Sequence, residues 1–350
     1  MSAGRPIAVI GAGNWGTTLA HVIASHGHPV RLWTRDPEQR DELGRQHTNT
    51  RATGNLVIAS SVEATTDLAR ATSAVDLVLI AIPSQAFREV CRSLAAVLYP
   101  EQLVVHGTKG IELASHQRMS EILQEETCAR QIGVLSGPNI AAEVAQGKPA
   151  ATVIASAFPR VIHVARSVLA STQLMVFAAT DLTGVELCGA LKNVVAIAAG
   201  IADELGVGEN AKAFLLTHGM AEMMQLASAM GAEPMTLAGL AGIGDLMVTC
   251  ASPLSRNHRM GVALARGEKL EEAAERLGMV AEGIYASRSA RALARQYSLR
   301  MPLFTRIDRI LHEGLAPRRA LDELMRLPAG RDVPYFAGWS RPAGAHSSSA

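Results

Sequence analysis

The stretch "IAVIGAGNWG" (residues 7–16) constrains this chain more than any other. A short apolar run leads straight into Gly11, Gly13 and Gly16, spaced G-x-G-x-x-G, and an apolar pattern with helical spacing follows over residues 15–26. In a strand–turn–helix unit each glycine has its own task. Gly11 makes the tight turn, Gly13 lets the backbone approach a pyrophosphate, and Gly16 lets helix and strand pack closely, leaving the helix N-terminus aimed at the phosphates. Without its flanks the triplet is only a glycine-rich turn; a strand before it and a helix after it make it a dinucleotide-binding motif.

The rest of the first half repeats that alternation. "PVRLWT", "DLVLIAIP", "LVVHGTKG", "IGVLSGP", "ATVIAS" and "MVFAAT" read as strands, with helical patterns over 84–98 and 159–170. Such alternation predicts βαβ units and a largely parallel sheet. It stops near Asp181, and from there to about residue 327 the apolar spacing is helical, with breaks at 206–208, 231–234 and 314–317. The expected fold is therefore α/β: an N-terminal Rossmann-like, doubly wound dinucleotide-binding domain over residues 1–180, followed by an all-helical substrate-binding domain over 181–327. The tail, 328–350, is rich in Pro, Gly, Ser and Ala and is expected to be disordered, because it has too little apolar surface to bury.

Lys and Arg number 33 against 32 Asp and Glu, a net charge of +1, which offers no general field for nucleic acid or an anionic membrane. Any anion must be bound locally, and no nucleic-acid partner is expected. Residues 6–30 carry no Lys, Arg, Asp or Glu, yet their apolar parts are far shorter than the roughly 20 residues of a membrane helix, and no cleavage site follows a basic segment. A cytoplasmic protein without stable membrane insertion is expected. Cys91, Cys128, Cys188 and Cys250 are far apart and read as reduced core residues. His26 and His28 flank Gly27 with no third ligand evident, so no metal is expected, and His106 reads as a packed residue at a strand end.

The chemistry concentrates in a few places. After the second strand, "VRLWTRD" offers both readers of a cofactor's 2′ position: Arg35 for the phosphate of NADP, Asp36 for the free hydroxyl of NAD. In "GALKNVVAIAAG" (residues 189–200) Lys192 is the single charge among residues that cannot solvate it. A lysine in a dry pocket has a lowered pKa, and can stabilise a developing alkoxide and exchange a proton with it; a lysine snorkelling from a helix edge is the plainer alternative. Asp245 in "GIGDL" suits orienting that lysine, or capping a helix. In "SPLSRNHRMG", Ser255, Arg256 and Asn257 stand together at a helix start, a combination suited to a phosphate dianion, or equally to an ordinary N-cap.

Read with the glycine loop, "TKGIE", "LSGPNIAAEVA", "GALKNVVAIAAG", "AGLAGIGDLMVTCASPLSRNHRMG" and "VAEG" make the chain resemble bacterial NAD(P)-dependent glycerol-3-phosphate dehydrogenase, from the first strand to about residue 327. The resemblance implies reversible hydride transfer between NADP (preferred) or NAD and C2 of dihydroxyacetone phosphate, giving sn-glycerol 3-phosphate for phospholipid synthesis, in a homodimer. It implies that Asn14, Trp15, Arg35 and Lys109 lie beside the cofactor, with Ala141, Arg256, Val280 and Glu282. Lys109, Gly137, Asn139, Lys192, Asp245, Ser255, Arg256 and Asn257 would touch substrate, with Lys192 transferring the proton. Asn139 stands where Ser or Thr is commoner, His218 where Arg is expected, and "HTNTRATGNL" is shorter and less proline-rich than the family's loop. Two other readings remain: a hydroxyacid dehydrogenase whose substrate carries a carboxylate, and a regulator that senses NADP without turnover. The regulator needs none of Lys192, Asp245 and Arg256.

Overall fold

Eight strands form one sheet in the order β3-β2-β1-β4-β5-β6-β7-β8. The computed structural model describes residues 4–278 and 281–326. β1 (Ile7–Ile10) runs into α1 (Asn14–Ser25), and β2 (Val30–Trp33) pairs parallel beside it, Ile7 opposite Val30. Next come α2 (Pro37–Gln46), α3 (Thr50–Thr53), β3 (Val62–Thr65) and α4 (Leu68–Thr72). The chain then crosses to the far side of β1 with β4 (Leu77–Ile80), a 3₁₀ turn at Ser84–Ala86, α5 (Phe87–Ala95), β5 (Leu103–His106), α6 (Met119–Glu126) and β6 (Gln131–Ser136). Strand order therefore reverses between β1 and β4, and the crevice outside their carboxyl ends is where such sheets hold nucleotides.

The sheet departs from a fully parallel one at β6. A five-residue helix, α7 (Ala141–Ala145), packs on α1 instead of crossing to the opposite end of the sheet, so β7 (Ala150–Ala155) re-enters antiparallel to β6. α8 (Pro159–Leu169) then makes a full crossover, and β8 (Leu174–Ala179) lies parallel to β7. One face of the sheet packs on α1 and α8, the other on α5 and α6.

From Leu182 onward every element among the described residues is helical. α9 (Leu182–Glu204) forms the axis, and 19 of its 23 residues are buried, which is why its sequence is apolar all round. Around it stand α10 (Glu209–Ala229), α11 (Pro234–Leu237), a π-helical turn at Leu240–Gly244, α12 (Asp245–Ala251), α13 (Arg256–Ala265), α14 (Leu270–Leu277), α15 (Glu282–Gln296), α16 (Pro302–Glu313) and α17 (Pro317–Met325). α9 is long and apolar enough to cross a membrane, as is the stretch Pro234–Ala251; α9 is enclosed by its neighbours, and the second stretch is one-third buried, with its parts packed on α9.

α13 crosses α9 backbone to backbone. A methyl on Gly200 would lie 2.0 Å from the His258 carbonyl oxygen, and one on Gly261 2.1 Å from that of Ile197, so only glycine permits the contact at both positions. The crossing brings the start of α13 beside Asn193. One cysteine departs from expectation: Cys128 is exposed, in the loop before β6, with its thiol on the Leu98 carbonyl, while Cys91, Cys188 and Cys250 are buried.

Candidate active site

The glycine loop has the geometry that its spacing predicts. Gly11 has φ +109°, a backbone state that disfavours any side chain, and a methyl on Gly16 would sit 1.8 Å from the Gly11 carbonyl oxygen. Among the described residues, nothing beyond its chain neighbours lies within 4 Å of where a Gly13 side chain would be, which leaves room there for a ligand to approach the backbone. The Ala12 carbonyl accepts from Gln39 Nε2 and Asn49 Nδ2, both at 2.9 Å, and Asn49 also donates to Thr17 Oγ1. These two amides brace the loop from behind. Asn49 belongs to "HTNTRATGNL", and only its polarity in a buried connection could have revealed it.

Around the loop stand the other residues expected beside a cofactor. Asn14 opens α1, and the buried Trp15 Nε1 has no hydrogen-bond partner among the described residues. Ala141 opens α7, its carbonyl 3.5 Å from Thr18 Oγ1. Arg35 is exposed just beyond β2, while Asp36 caps α2 by accepting from the Glu38 and Gln39 N–H groups. Glu282 accepts from the Ser84 N–H and hydroxyl across the junction of the two halves, and burial pushes its carboxyl above the usual range against the pull of Ser84 and Arg256. Val280 lies outside the described residues. The loop geometry, the open side of Gly13 and the spare Trp15 donor fit a dinucleotide. A cavity of about 480 Å³ between α1, residues 52–57 and α7 adjoins Asn14, but neither Lys109 nor Lys192 lines it.

The reactive cluster lies where the carboxyl ends of β5 and β6 meet α9 and α12. Lys192 Nζ donates to Asp245 Oδ1 at 2.5 Å and to Thr249 Oγ1 at 2.7 Å. Lys109, three residues beyond β5, donates to Asp245 Oδ2 at 2.6 Å and to the Gly137 carbonyl at 2.9 Å. One buried carboxylate thus holds two ammonium groups, one from each half of the molecule. Burial lowers the Lys192 pKa to about 8, with Lys109 adding to the fall and Asp245 opposing it. Burial pushes the Asp245 carboxyl up, but the two lysines outweigh it and hold it below its ordinary range. Thr249 was not foreseen; it lies one helical turn after Asp245, and that spacing is the only sign of it in the sequence.

The other expected substrate residues divide. Asn139 Nδ2 donates to Thr152 Oγ1, and its buried Oδ1 has no partner among the described residues. Ser255 caps α13 by accepting from the His258 N–H. Asn257 is buried and engaged at both ends, donating to Asn193 Oδ1 and accepting from the Gly283 N–H. Arg256 stands at the first position of α13, within the field of Glu282. His218 stays on α10, stacked on Phe214 with ring centroids 4.0 Å apart.

A dinucleotide loop at a topological switch point, with a lysine of lowered pKa at the junction with a helical half, defines the class: a two-domain, nicotinamide-dependent dehydrogenase. Residues 6–161 match the family model described as the NAD-dependent glycerol-3-phosphate dehydrogenase N-terminus, and residues 181–322 match the C-terminus of the same family. The chain belongs to this family. It is 44% identical to glycerol-3-phosphate dehydrogenase [NAD(P)+] of Azotobacter vinelandii over 96% of this chain and 99% of that one. It is 45% identical to the enzyme of the same name from Pseudomonas fluorescens, over 96% and 98% of the two chains. The crystal structure of glycerol-3-phosphate dehydrogenase from Coxiella burnetii is similar at 38% identity and a TM-score of 0.89, covering 92% of this chain and 99% of that one.

Proposed function

We infer that the protein reduces dihydroxyacetone phosphate to sn-glycerol 3-phosphate, reversibly, with NADPH or NADH. The observation that carries this reading is the Lys192–Asp245–Lys109 cluster at the mouth of the nucleotide crevice. The nicotinamide, when bound, supplies or accepts the hydride at C2. An ammonium has three donors. Asp245 and Thr249 take two from Lys192, which leaves one for the C2 oxygen, and with a pKa near 8 Lys192 gives a proton in reduction and, as the free amine, takes one back in oxidation. Lys109 adds positive charge beside the same oxygen and, with Gly137 and Asn139, lines the substrate side. Arg256 and the first turn of α13 hold the phosphate, so that binding at one end orients the carbon at the other. We assign residues 1–180 to cofactor and 181–327 to substrate.

Capping by Asp36 leaves Arg35 as the reader of the 2′ position, which supports a preference for NADPH. We further propose a homodimer in the cytoplasm, supplying glycerophospholipid synthesis. The test is cofactor absorbance with NADPH and NADH against dihydroxyacetone phosphate and a panel of 2-keto acids. Turnover confined to dihydroxyacetone phosphate supports the reading; turnover of keto acids instead points to a hydroxyacid dehydrogenase, and cofactor binding without turnover to a sensor.

A further inference from the structure

Along α9, Glu186 and Gly189 face groups of the cofactor-binding half directly, while Lys192 reaches that half through Asp245, which it shares with Lys109. A methyl on Gly189 would lie 3.1 Å from Ser136 Oγ and 3.3 Å from Lys109 Cγ, so α9 rests directly on the ends of β5 and β6. Glu186, buried, accepts from the Ser120 N–H at 2.8 Å, the Ser120 hydroxyl at 2.7 Å and Arg118 Nη1 at 2.5 Å. His106 Nε2 at the end of β5 is 3.1 Å from it, in contact but not aligned as a hydrogen bond. Ser120 is in the first turn of α6, so a carboxylate from one half of the molecule caps a helix of the other. Burial would raise the Glu186 carboxyl, but His106, Arg118 and the Ser120 N–H outweigh it and hold it below the ordinary range.

Stability alone does not call for such a pair, because buried ion pairs are often replaced by apolar residues at no loss; fixing register is their best-attested use. His106 and Lys109 leave the sheet three residues apart, and Glu186 and Lys192 stand six apart, about 9 Å along α9. Two ties therefore join the two halves: Glu186 to Arg118 and Ser120 at the start of α6 above, and Lys192, through Asp245 of α12, to Lys109 below.

We propose that Glu186 is a positioning residue: held by Arg118 and Ser120, it fixes the register of α9 on the cofactor-binding half, and with it the separation of Lys192 from Lys109 across Asp245. This rests on the reading of Lys192 as the proton-transferring group. Misplacement by about 1 Å can cost about 100-fold in rate. The titratable groups that face Lys192 are Asp245 and Cys250 on α12, Cys188 on its own helix and Lys109 from the other half. Asp245 travels with Lys192 in the helical half, whereas Lys109, whose charge lowers the Lys192 pKa, belongs to the other; widening their separation therefore moves the alkaline limb of kcat for reduction to higher pH.

The experiment compares wild type, E186A, E186Q and K192A by kcat, KM, NADPH affinity and the pH profile of reduction. E186A is expected to lose kcat by about 10-fold or more with NADPH affinity within about 3-fold, and to shift the alkaline limb upward. E186Q keeps an acceptor for Ser120 and should fall between E186A and wild type. If E186A lowers the melting temperature but keeps wild-type kcat and limb, or loses cofactor affinity in step with kcat, Glu186 is only structural and the proposal is overturned. Should E186A not fold, S120A, which removes one bond, is expected to shift the limb in the same direction by less, and an unmoved limb overturns the proposal. If K192A retains wild-type kcat, the underlying reading fails and the proposal with it; an inactive K192A beside an unaffected E186A removes the proposal alone.

Discussion

Lys192 and Asp245 meet at 2.5 Å, each almost wholly enclosed, one in the middle of α9 and the other at the first residue of α12. Neither could be buried alone at acceptable cost, since an unpaired buried charge is neutralised or expelled. Together they keep a lysine charged in a dry site yet close to losing its proton.

That balance predicts a pH dependence with a definite sign. The pKa of Lys192 lies near 8, below its ordinary 10.5, so the ammonium that reduction needs is present below pH 8 and lost above it, while the free amine that oxidation needs appears as pH rises through the same value. The kcat for reduction should fall, and that for oxidation rise, through about pH 8. Lys192→Ala should remove both limbs and cost kcat about 100-fold or more, with cofactor binding retained. A variant that changes KM alone would make Lys192 a binding residue.

Arg35 is expected to set the cofactor preference. Arg35→Ala should weaken NADPH by about 1.5 to 3 kcal/mol and leave NADH nearly unchanged, because only the 2′-phosphate offers the guanidinium a charged partner. Titration of both cofactors against wild type and variant decides it. Equal losses for the two would return the role to Asp36, despite its place as the cap of α2.

The sequence made some of this legible and hid the rest for physical reasons. The glycine loop was readable because its spacing and both its flanks are local, and the helical half because α9 and its neighbours are long and strongly periodic. β3 and the helices α2 to α4 were not foreseen: α3 and α4 are four and five residues long, α2 buries only Leu43 and so has no apolar stripe, and β3 ("VEAT") exposes Glu63 at the sheet edge, so it lacks a run of apolar residues. The antiparallel return at β7 depends on α7 packing against α1, a tertiary choice. Lys192, Asp245 and Arg256 stand out by residue type, but the bridge from Asp245 to Lys109 spans 136 positions, and the tie from Glu186 to Ser120 spans 66. No local pattern announces either.

Glu222 predicts a second pH effect, on stability. It is fully buried on α10 and accepts from the Leu303 and Phe304 N–H groups at the start of α16, and burial raises its pKa to about 8 against those bonds and the charge of Arg306. In the unfolded chain the same group titrates near 4.5. The folded state therefore holds an extra proton between those values, and its contribution to stability, full below 4.5, is lost as pH rises through 8. Glu222→Gln should flatten that slope while losing about 1 to 3 kcal/mol at pH 6, because an amide nitrogen cannot accept the second N–H. Denaturant melts of both proteins from pH 5 to 9 test it; parallel curves would sink the assignment.

Arg256 is expected to decide which substrate the site serves. Ser255 and Asn257 carry no charge, and Arg256 stands beside them at the first position of α13, within the field of Glu282. If Arg256 holds the phosphate while Lys192 addresses the C2 oxygen, dihydroxyacetone, which has the carbonyl but no phosphate, should lose kcat as well as affinity, because energy from the remote group orients the reacting carbon. Arg256→Lys should restore only part of the activity of Arg256→Ala toward wild type, since an ammonium keeps the charge without the two-pronged geometry. Steady-state kinetics of the three proteins on both substrates give the answer. A phosphate contact requires both variants to suffer on dihydroxyacetone phosphate and to match wild type on dihydroxyacetone; equal losses on the two substrates would assign Arg256 to the cofactor or the fold and move the phosphate site elsewhere.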